Sequence, residues 1–72
     1  MTPIEFSKIA PQIPSQPGIY KYFGVSGELL YVGKAKHLKK RISSYFNKQQ
    51  DNKKTIELVG KIHKIEFTLV AT

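Results

Sequence analysis

The chain has 72 residues and no cysteine, and its 12 lysine and arginine residues against 5 acids give it a net charge of +7. This length predicts one small domain with a thin core, because a chain of this size buries only roughly 60% of the surface that it exposes when unfolded. The lack of cysteine excludes disulfides and thiolate-bound zinc, and the apolar runs are too short for a secretory or membrane-spanning segment.

The positive charge is concentrated in one part of the sequence. Between Lys34 and Lys54 there are eight lysine and arginine residues and a single acid, Asp51. Such an excess on a small domain favours a polyanionic partner, although surface lysines also serve solubility alone. Because Tyr45 and Phe46 lie inside the basic block, we favour nucleic acid as the partner.

The N-terminal segment predicts a short helix. Residues 2–5 have the sequence TPIE, a capping box in which threonine accepts from backbone N–H groups, proline suits the first helical position and glutamate reaches back. We expect this helix to end near Ala10, with Ile4, Phe6 and Ile9 facing inward. Three prolines between residues 11 and 17 then predict a stiff, extended segment.

Two strands joined by a turn follow. Gly18 to Phe23 is rich in aromatic and β-branched residues, which predicts a strand. Gly24 to Gly27 predicts a turn, because its two glycines can adopt positive φ. Glu28 to Gly33 predicts the returning strand.

The register that we expect for this hairpin pairs Tyr20 with Tyr31 and Tyr22 with Leu29, around a four-residue loop. Because side chains alternate along a strand, these four residues share one face of the sheet. The opposite face then carries Ile19, Phe23, Leu30 and Val32. A slip of one residue would separate the two tyrosines.

A basic helix is predicted over about His37 to Lys48. Its apolar stripe at helical spacing is formed by Leu38, Ile42, Tyr45 and Phe46. Arg41 borders this stripe, so it can pack its stem inward and direct its guanidinium toward the sheet. The polar segment Gln49 to Lys53 predicts a loop.

The C-terminal part predicts one more helix and one more strand. The helix spans Thr55 to His63, with Ile56, Val59 and Ile62 on its inner side; Gly60 weakens it by about 1 kcal/mol relative to alanine. Ile65 to Ala71 alternates well enough to form a third strand. The expected fold is therefore α+β, a small three-stranded antiparallel sheet flanked by helices.

Two tyrosines and an arginine are candidates for phosphodiester hydrolysis, which requires an activated water and stabilisation of charge on the phosphate. Tyr20 and Tyr31 could orient or deprotonate the water if cations stabilise a phenolate, since an ordinary tyrosine has a pKa of about 10. Arg41 suits the scissile phosphate, because its planar fork binds two phosphate oxygens. A tyrosine on a half-buried strand, however, more often serves packing alone, and we assign Tyr22 that role.

Other chemistries fit the sequence less well. Gly27 to Lys34 resembles a phosphate-binding P-loop, but it has one residue too many between the glycines, and Ala35 replaces the required serine or threonine. His37 and His63 are far apart and have no cysteine partners, so we expect them to face solvent. The five acids are scattered and form no metal-binding cluster.

Together these motifs resemble the GIY-YIG nuclease superfamily. Residues 18–20 read GIY, and residues 31–33 read YVG, with Val32 in place of the isoleucine. The longer string YVGKAK, followed by LKKRISSYF over residues 38–46, is similar to the N-terminal domain of the UvrC family. The resemblance extends from about Pro14 to Thr72.

The resemblance implies a cytoplasmic DNA endonuclease of nucleotide excision repair, dependent on Mg²⁺ or Mn²⁺, that cuts on the 3′ side of a lesion. It implies double-stranded DNA and UvrB, with the complex that UvrA loads, as partners. By position it identifies Tyr20, Tyr31, Lys34 and Arg41 as catalytic residues, with the choice of general base between the tyrosines open. It also implies contacts to DNA or phosphate by Gly33, Lys36, Lys40 and Tyr45.

The family's metal ligand is a glutamate on a helix after the third strand, and no acid in this chain matches it. We therefore expect residues 1–72 to be a partial catalytic domain, whose metal-binding glutamate lies beyond Thr72 and which is nearly inactive alone. Three alternatives stay open from the sequence. They are the same module in an exonuclease fusion, a non-catalytic nucleic-acid-binding domain, and a protein-interaction module that uses the apolar segment Phe67 to Val70.

Overall fold

The computed structural model describes residues 1–47 and 52–71. The three helices within these ranges are α1 (Pro3–Ile9), α2 (Leu38–Asn47) and α3 (Lys53–Lys61). The three strands are β1 (Gly18–Phe23), β2 (Leu29–Ala35) and β3 (Lys64–Leu69). The strands form one antiparallel sheet in the order β2-β1-β3, which confirms the expected fold class.

The hairpin register differs from the expected one. Tyr22, and not Tyr20, lies opposite Tyr31, while Tyr20 lies opposite Gly33. The expected pairing was wrong by two residues, because the loop between the paired Phe23 and Leu29 has five residues instead of four and Leu30 adds one more as a bulge. A shift of two preserves the face, since side chains alternate with period two. Tyr20, Tyr22 and Tyr31 therefore still share one face of the sheet.

A bulge at the start of β2 explains the other difference in the hairpin. Phe23 pairs with Leu29, so that Leu30 has no residue opposite it. The extra residue changes which side chains face the core. Leu29, which we expected beside the tyrosines, is 53% exposed, and the half-buried Leu30 packs against the core instead.

The core lies between the tyrosine-bearing face of the sheet and the helices. Its buried members are Phe6, Ile13, Tyr20, Tyr22, Leu38, Ile42, Phe46 and Ile62, which confirms the stripe expected on α2. Two residues expected to face inward, Ile4 and Ile56, are exposed instead. α1 is only seven residues long and buries Phe6 alone, stacked on Phe46 with ring centroids 4.3 Å apart.

The helix starts follow their capping residues. The capping box of α1 is present, with the Thr2 N–H donating to Glu5 Oε1 at 2.8 Å and the Glu5 N–H donating to Thr2 Oγ1 at 3.1 Å. The bond from the Thr2 backbone lowers the pKa of Glu5. α3 starts at Lys53, earlier than expected, because the Asn52 side chain accepts from the Lys54 N–H at 2.9 Å.

Several boundary predictions need correction or lie outside the described residues. Pro11 belongs to a 3₁₀ turn, Ala10–Gln12, where we expected extended chain; a proline fits the first turn of a helix because its missing N–H has no partner there. α3 ends at Lys61, two residues before the expected His63, and β3 ends at Leu69, two residues before the expected Ala71. The end of the basic helix at residue 48 and the loop at 49–51 lie outside the described residues. Within those residues, no helix is long and apolar enough to cross a membrane.

Candidate active site

The four tyrosines of the chain form one cluster between the sheet and α2. Tyr20 and Tyr22 come from β1, Tyr31 from β2 and Tyr45 from α2. The ring of Tyr20 has its centroid 5.3 Å from that of Tyr22 and 6.1 Å from those of Tyr31 and Tyr45. Strand alternation and the helical stripe therefore bring together phenols that are up to 25 residues apart.

The hydroxyl of Tyr20 is the central hydrogen-bonding atom of this cluster. It lies 3.1 Å from the Tyr45 hydroxyl, and it accepts from Nε of Arg41 at 3.3 Å. The guanidinium carbon of Arg41 is also 5.9 Å from the centroid of the Tyr45 ring, within the range of a cation–π contact. Because the hydrogen bond uses Nε, the two terminal nitrogens can still bind a phosphate. This confirms the expectation that Arg41 points toward the sheet.

The electrostatics keep the cluster's cation charged and its inner phenols neutral. The hydrogen bond to Tyr20 raises the pKa of Arg41. Burial, followed by the hydrogen bond to Tyr20, raises the pKa of Tyr45. Burial also raises the pKa of Tyr22 well above its ordinary value. At neutral pH, Tyr22 and Tyr45 are therefore hydroxyl groups beside a guanidinium.

Tyr31 is the accessible member of the cluster. It is 40% exposed, whereas Tyr20 is 1% exposed and Tyr22 is fully buried. A fully buried side chain cannot meet water or DNA without a rearrangement, while the partly exposed side chain of Tyr31 can. The structure thus separates the two candidate tyrosines into an exposed phenol and a buried one that is bonded to Arg41.

Gly33 provides the space that the Tyr20 ring occupies. A Cβ atom at position 33 would overlap Cζ and Oη of Tyr20, and Tyr20 lies directly opposite Gly33 across the hairpin. From the sequence we gave this glycine a role in approach to nucleic acid. The structure adds a local reason for glycine, because any side chain here displaces the hydroxyl that accepts from Arg41.

We therefore expect Gly33→Ala to destabilise the fold by about 1–3 kcal/mol, the usual cost of overpacking a core, and to weaken the Tyr20–Arg41 contact. Denaturant unfolding measures the first effect and near-ultraviolet circular dichroism of the tyrosines the second. Gly60→Ala is the matched control: nothing lies within 4 Å of a Cβ there, and alanine favours the α3 helix. Equal stability of the two variants would contradict the packing role of Gly33.

The predicted phosphate-binding cations line a shallow depression of about 400 Å³ next to the tyrosine cluster. Its lining residues are Lys34, Ala35, Lys36, His37, Lys40, Arg41 and Ser44. Lys34 follows Gly33 on β2 and leaves the sheet on the face opposite the tyrosines. The structure therefore brings Lys34, Lys36 and Lys40 close to Arg41 but not into the phenol cluster.

His37 has a role that the sequence analysis missed. Its Nδ1 accepts from the Lys40 N–H at 3.1 Å and its carbonyl accepts from the Arg41 N–H at 3.0 Å, so it caps the start of α2. Its position just before the apolar stripe was a signal for a cap, but histidine is not among the usual capping residues. The cap fixes the first turn of the helix that carries Arg41.

A metal site is not formed by the described residues alone. Residues 1–47 and 52–71 contain no group of three histidine, cysteine, aspartate or glutamate side chains that could hold an ion. Glu66 pairs instead with Lys64 at 2.9 Å on an exposed part of β3. The oxygen donors that Mg²⁺ prefers are therefore not assembled by this part of the chain.

Comparison with known proteins gives a consistent match. Residues 16–72 match the model of the UvrC-like GIY-YIG domain. The UvrABC system protein C of Porphyromonas gingivalis is 47% identical over 70 residues, which are 97% of this chain and 12% of that protein. The corresponding protein of Flavobacterium psychrophilum is 55% identical over 60 residues, 83% of this chain and 10% of that protein. The chain thus spans about a tenth of the length of these relatives.

The fold matches solved structures of the N-terminal endonuclease domain of UvrC from Thermotoga maritima. The form bound to magnesium, described as its catalytic divalent cation, has a TM-score of 0.76 and 30% identity, over 93% of this chain and 72% of that one. A tyrosine-to-phenylalanine point mutant of the same domain, also bound to its catalytic cation, has a TM-score of 0.75 and 28% identity, over 93% of this chain and 72% of that one.

Proposed function

Because this chain belongs to the UvrC-like GIY-YIG domain family, we propose that it acts as the domain that cuts DNA on the 3′ side of a lesion in nucleotide excision repair. One observation supports this most strongly. An exposed phenol, Tyr31, lies beside a buried phenol, Tyr20, that is bonded to Arg41. This arrangement combines an accessible base with a cation for the phosphate.

In the mechanism that we propose, Tyr31 is the general base. Its hydroxyl is the accessible one of the pair, so it can take a proton from the attacking water. A phenol needs neighbouring positive charge to act as a base near neutral pH, and Arg41, which is bonded to the adjacent Tyr20, is the cation that we assign to this role. Tyr20 and Tyr45 hold the guanidinium so that its terminal nitrogens meet the scissile phosphate.

The lysines around the depression bind the DNA backbone on either side of that phosphate. Lys34, Lys36 and Lys40 lie within one depression with Arg41, so they can contact phosphates without sequence preference. Gly33 has no side chain, so DNA on this path can approach the backbone of β2 closely. DNA binding through these groups weakens steeply with salt, because each contact releases condensed counterions.

The reaction also depends on a divalent cation, Mg²⁺ or Mn²⁺, whose principal ligand is a glutamate outside the described residues, which we place beyond Thr72. A bound cation neutralises charge that develops on the phosphate. One observation supports this dependence: the similar Thermotoga maritima domain binds magnesium as its catalytic divalent cation. Residues 1–72 are in this view one part of the catalytic domain.

Double-stranded DNA and UvrB are the partners that we propose. The named relatives are components of the UvrABC system, and the cationic depression suits DNA. An exonuclease fusion, the alternative from the sequence, carries the same module, so the sequence of the polypeptide after residue 72 distinguishes the two.

The test is nicking of damaged, covalently closed circular DNA by the complete polypeptide with its partner subunits. We expect nicking that requires Mg²⁺ or Mn²⁺ and stops when the cation is chelated. The 72-residue chain alone is expected to bind DNA but to nick far more slowly, because it lacks the glutamate. Nicking that persists in chelator would refute the metal dependence. Equal rates for the short and long forms would show that the ligand lies within residues 1–72.

A further inference from the structure

The hydroxyl of Tyr22 is not explained by packing. Tyr22 is fully buried, and within the described part of the chain its hydroxyl has no hydrogen-bond partner. A buried donor without an acceptor costs folding free energy. A phenylalanine would keep every ring contact at this position without that cost. The hydroxyl therefore needs a reason other than the core.

The surroundings of Tyr22 are the candidate active site. Its ring lies 5.1 Å from that of Tyr45, at right angles, and 6.2 Å from that of Tyr31, which is its direct partner across the hairpin. The titratable and charged groups that face it are Tyr20 from its own strand, Tyr31 from β2, and Tyr45 and Arg41 from α2. Its β3 partner Ile65 and the core residues Phe6 of α1 and Ile62 after α3 are apolar.

The cluster contains few hydrogen bonds for the number of groups that could form them. Four phenol O–H groups and Nε of Arg41 can donate and each phenol oxygen can also accept, but two hydrogen bonds join them in the structure, from Arg41 to Tyr20 and between Tyr20 and Tyr45. Tyr20 already accepts from the guanidinium. If Tyr31 loses its proton, its oxygen becomes a strong acceptor, and charge-assisted bonds are roughly twice as strong as neutral ones. The hydroxyl of its partner Tyr22 is the buried side-chain oxygen that makes no hydrogen bond within the described residues.

We propose that Tyr22 is a positioning residue whose buried O–H acts as the internal donor to the phenolate of Tyr31. In the neutral cluster the Tyr22 hydroxyl makes no hydrogen bond within the described residues, whereas a phenolate at Tyr31 is a stronger acceptor for it than a neutral phenol. Tyr22 itself keeps its proton, because burial raises its pKa. The expected effect of Tyr22 on the nicking rate rests on the proposed nuclease function, whereas its expected effect on the ionisation of Tyr31 does not.

Tyr22→Phe tests the proposal by two measurements on the 72-residue chain. Spectrophotometric titration is expected to show the first phenolate forming about one pH unit higher than in the wild type. Thermal unfolding at neutral pH is expected to occur at the same temperature or slightly higher, because no hydrogen bond is lost. Tyr45→Phe gives the contrasting result for stability: it removes a hydroxyl bonded to Tyr20, so its unfolding temperature is expected to fall.

A third measurement uses the complete polypeptide and closed circular DNA. At neutral pH Tyr22→Phe is expected to nick about tenfold more slowly, as one pH unit in the ionisation of the base implies, with the same DNA affinity. Its rate is expected to approach that of the wild type as the pH rises. A purely structural residue would not move the pH profile in this way.

The outcomes distinguish a failure of the proposed role of Tyr22 from a failure of the proposed nuclease function. An unchanged first phenolate, with or without a loss of stability, would overturn the proposal. A shifted phenolate with an unchanged nicking rate would show that Tyr22 does not act on the base, which also overturns it. If the wild-type protein nicks no DNA, the proposed function fails while the titration still decides the role of Tyr22.

Discussion

Tyr31→Phe is expected to lower the nicking rate of the complete polypeptide by about 10²–10⁴-fold, the usual contribution of a general base, and to leave DNA affinity nearly unchanged. The substitution removes one exposed oxygen and keeps the ring, which packs 6.1 Å from Tyr20 and 6.2 Å from Tyr22. The fold is therefore expected to persist. The measurement is single-turnover nicking at saturating DNA, with binding determined separately.

Two comparisons make this result specific to the base. The residual activity of Tyr31→Phe is expected to lose the rise with pH that an ionising phenol gives. Tyr45→Phe also removes one hydroxyl, but that hydroxyl acts through Tyr20 on Arg41, so its loss of rate is expected to be smaller and the pH dependence retained. A normal rate in Tyr31→Phe would show that this tyrosine is not the base. A non-catalytic DNA-binding domain would show no rate to lose.

The sequence was sufficient to identify the face of the site but not its internal contacts. The alternation of Gly18 to Phe23 and the stripe on α2 predicted that tyrosines and Arg41 meet, because both patterns are local and repeat along the chain. The partner across the hairpin was wrong for Tyr31, since the bulge that leaves Leu30 unopposed is set by packing on both strands. The tyrosines still share one face of the sheet, because the register error was two residues and side chains alternate with period two.

Contacts between distant side chains were the part that could not be predicted. The bond between Tyr20 and Arg41 and the contact of Tyr20 with Tyr45 join residues 21 and 25 positions apart. Their geometry depends on how α2 sits on the sheet, which no local pattern fixes. The same holds for Gly33, whose lack of a side chain is explained only when the Tyr20 ring is seen above it.

The hydroxyl of Tyr22 could not be interpreted from the sequence for a different reason. From the sequence a tyrosine between two other strand residues is correctly assigned to packing, and its ring does pack in the core. Whether its hydroxyl has an acceptor depends on every atom around it, and the structure shows none in the described residues. A pattern of residue types can predict burial, but it cannot count the donors and acceptors of a buried cluster.

Arg41→Ala is expected to impair both DNA binding and nicking, in contrast to Tyr31→Phe, which is expected to impair nicking alone. Loss of the cation at the phosphate is expected to lower the nicking rate by about 10²–10³-fold, as loss of a preorganised charge-stabilising group typically does. Loss of a charge-assisted phosphate contact is expected to weaken DNA binding by about 1.5–3 kcal/mol. The slope of log affinity against log salt concentration is expected to fall by about one.

Arg41→Lys separates the charge from the geometry. Lysine keeps the positive charge, so the salt dependence is expected to stay close to that of the wild type. It has no Nε to donate to Tyr20 and no planar fork for two phosphate oxygens, so the rate is expected to stay low. Recovery of the full rate with lysine would show that Arg41 acts only as a point charge and that its bond to Tyr20 is dispensable.

Lys21→Ala is the matched control, because Lys21 is an exposed cation of β1 that does not line the depression beside Arg41. If the proposed DNA path is correct, removal of this charge leaves the rate unchanged and affects binding far less than Arg41→Ala. Equal losses of affinity in the two variants would mean that binding follows net charge alone, with no defined path. Since the proposed DNA path is assigned from the depression beside Arg41, that result would remove the phosphate-binding role of Arg41.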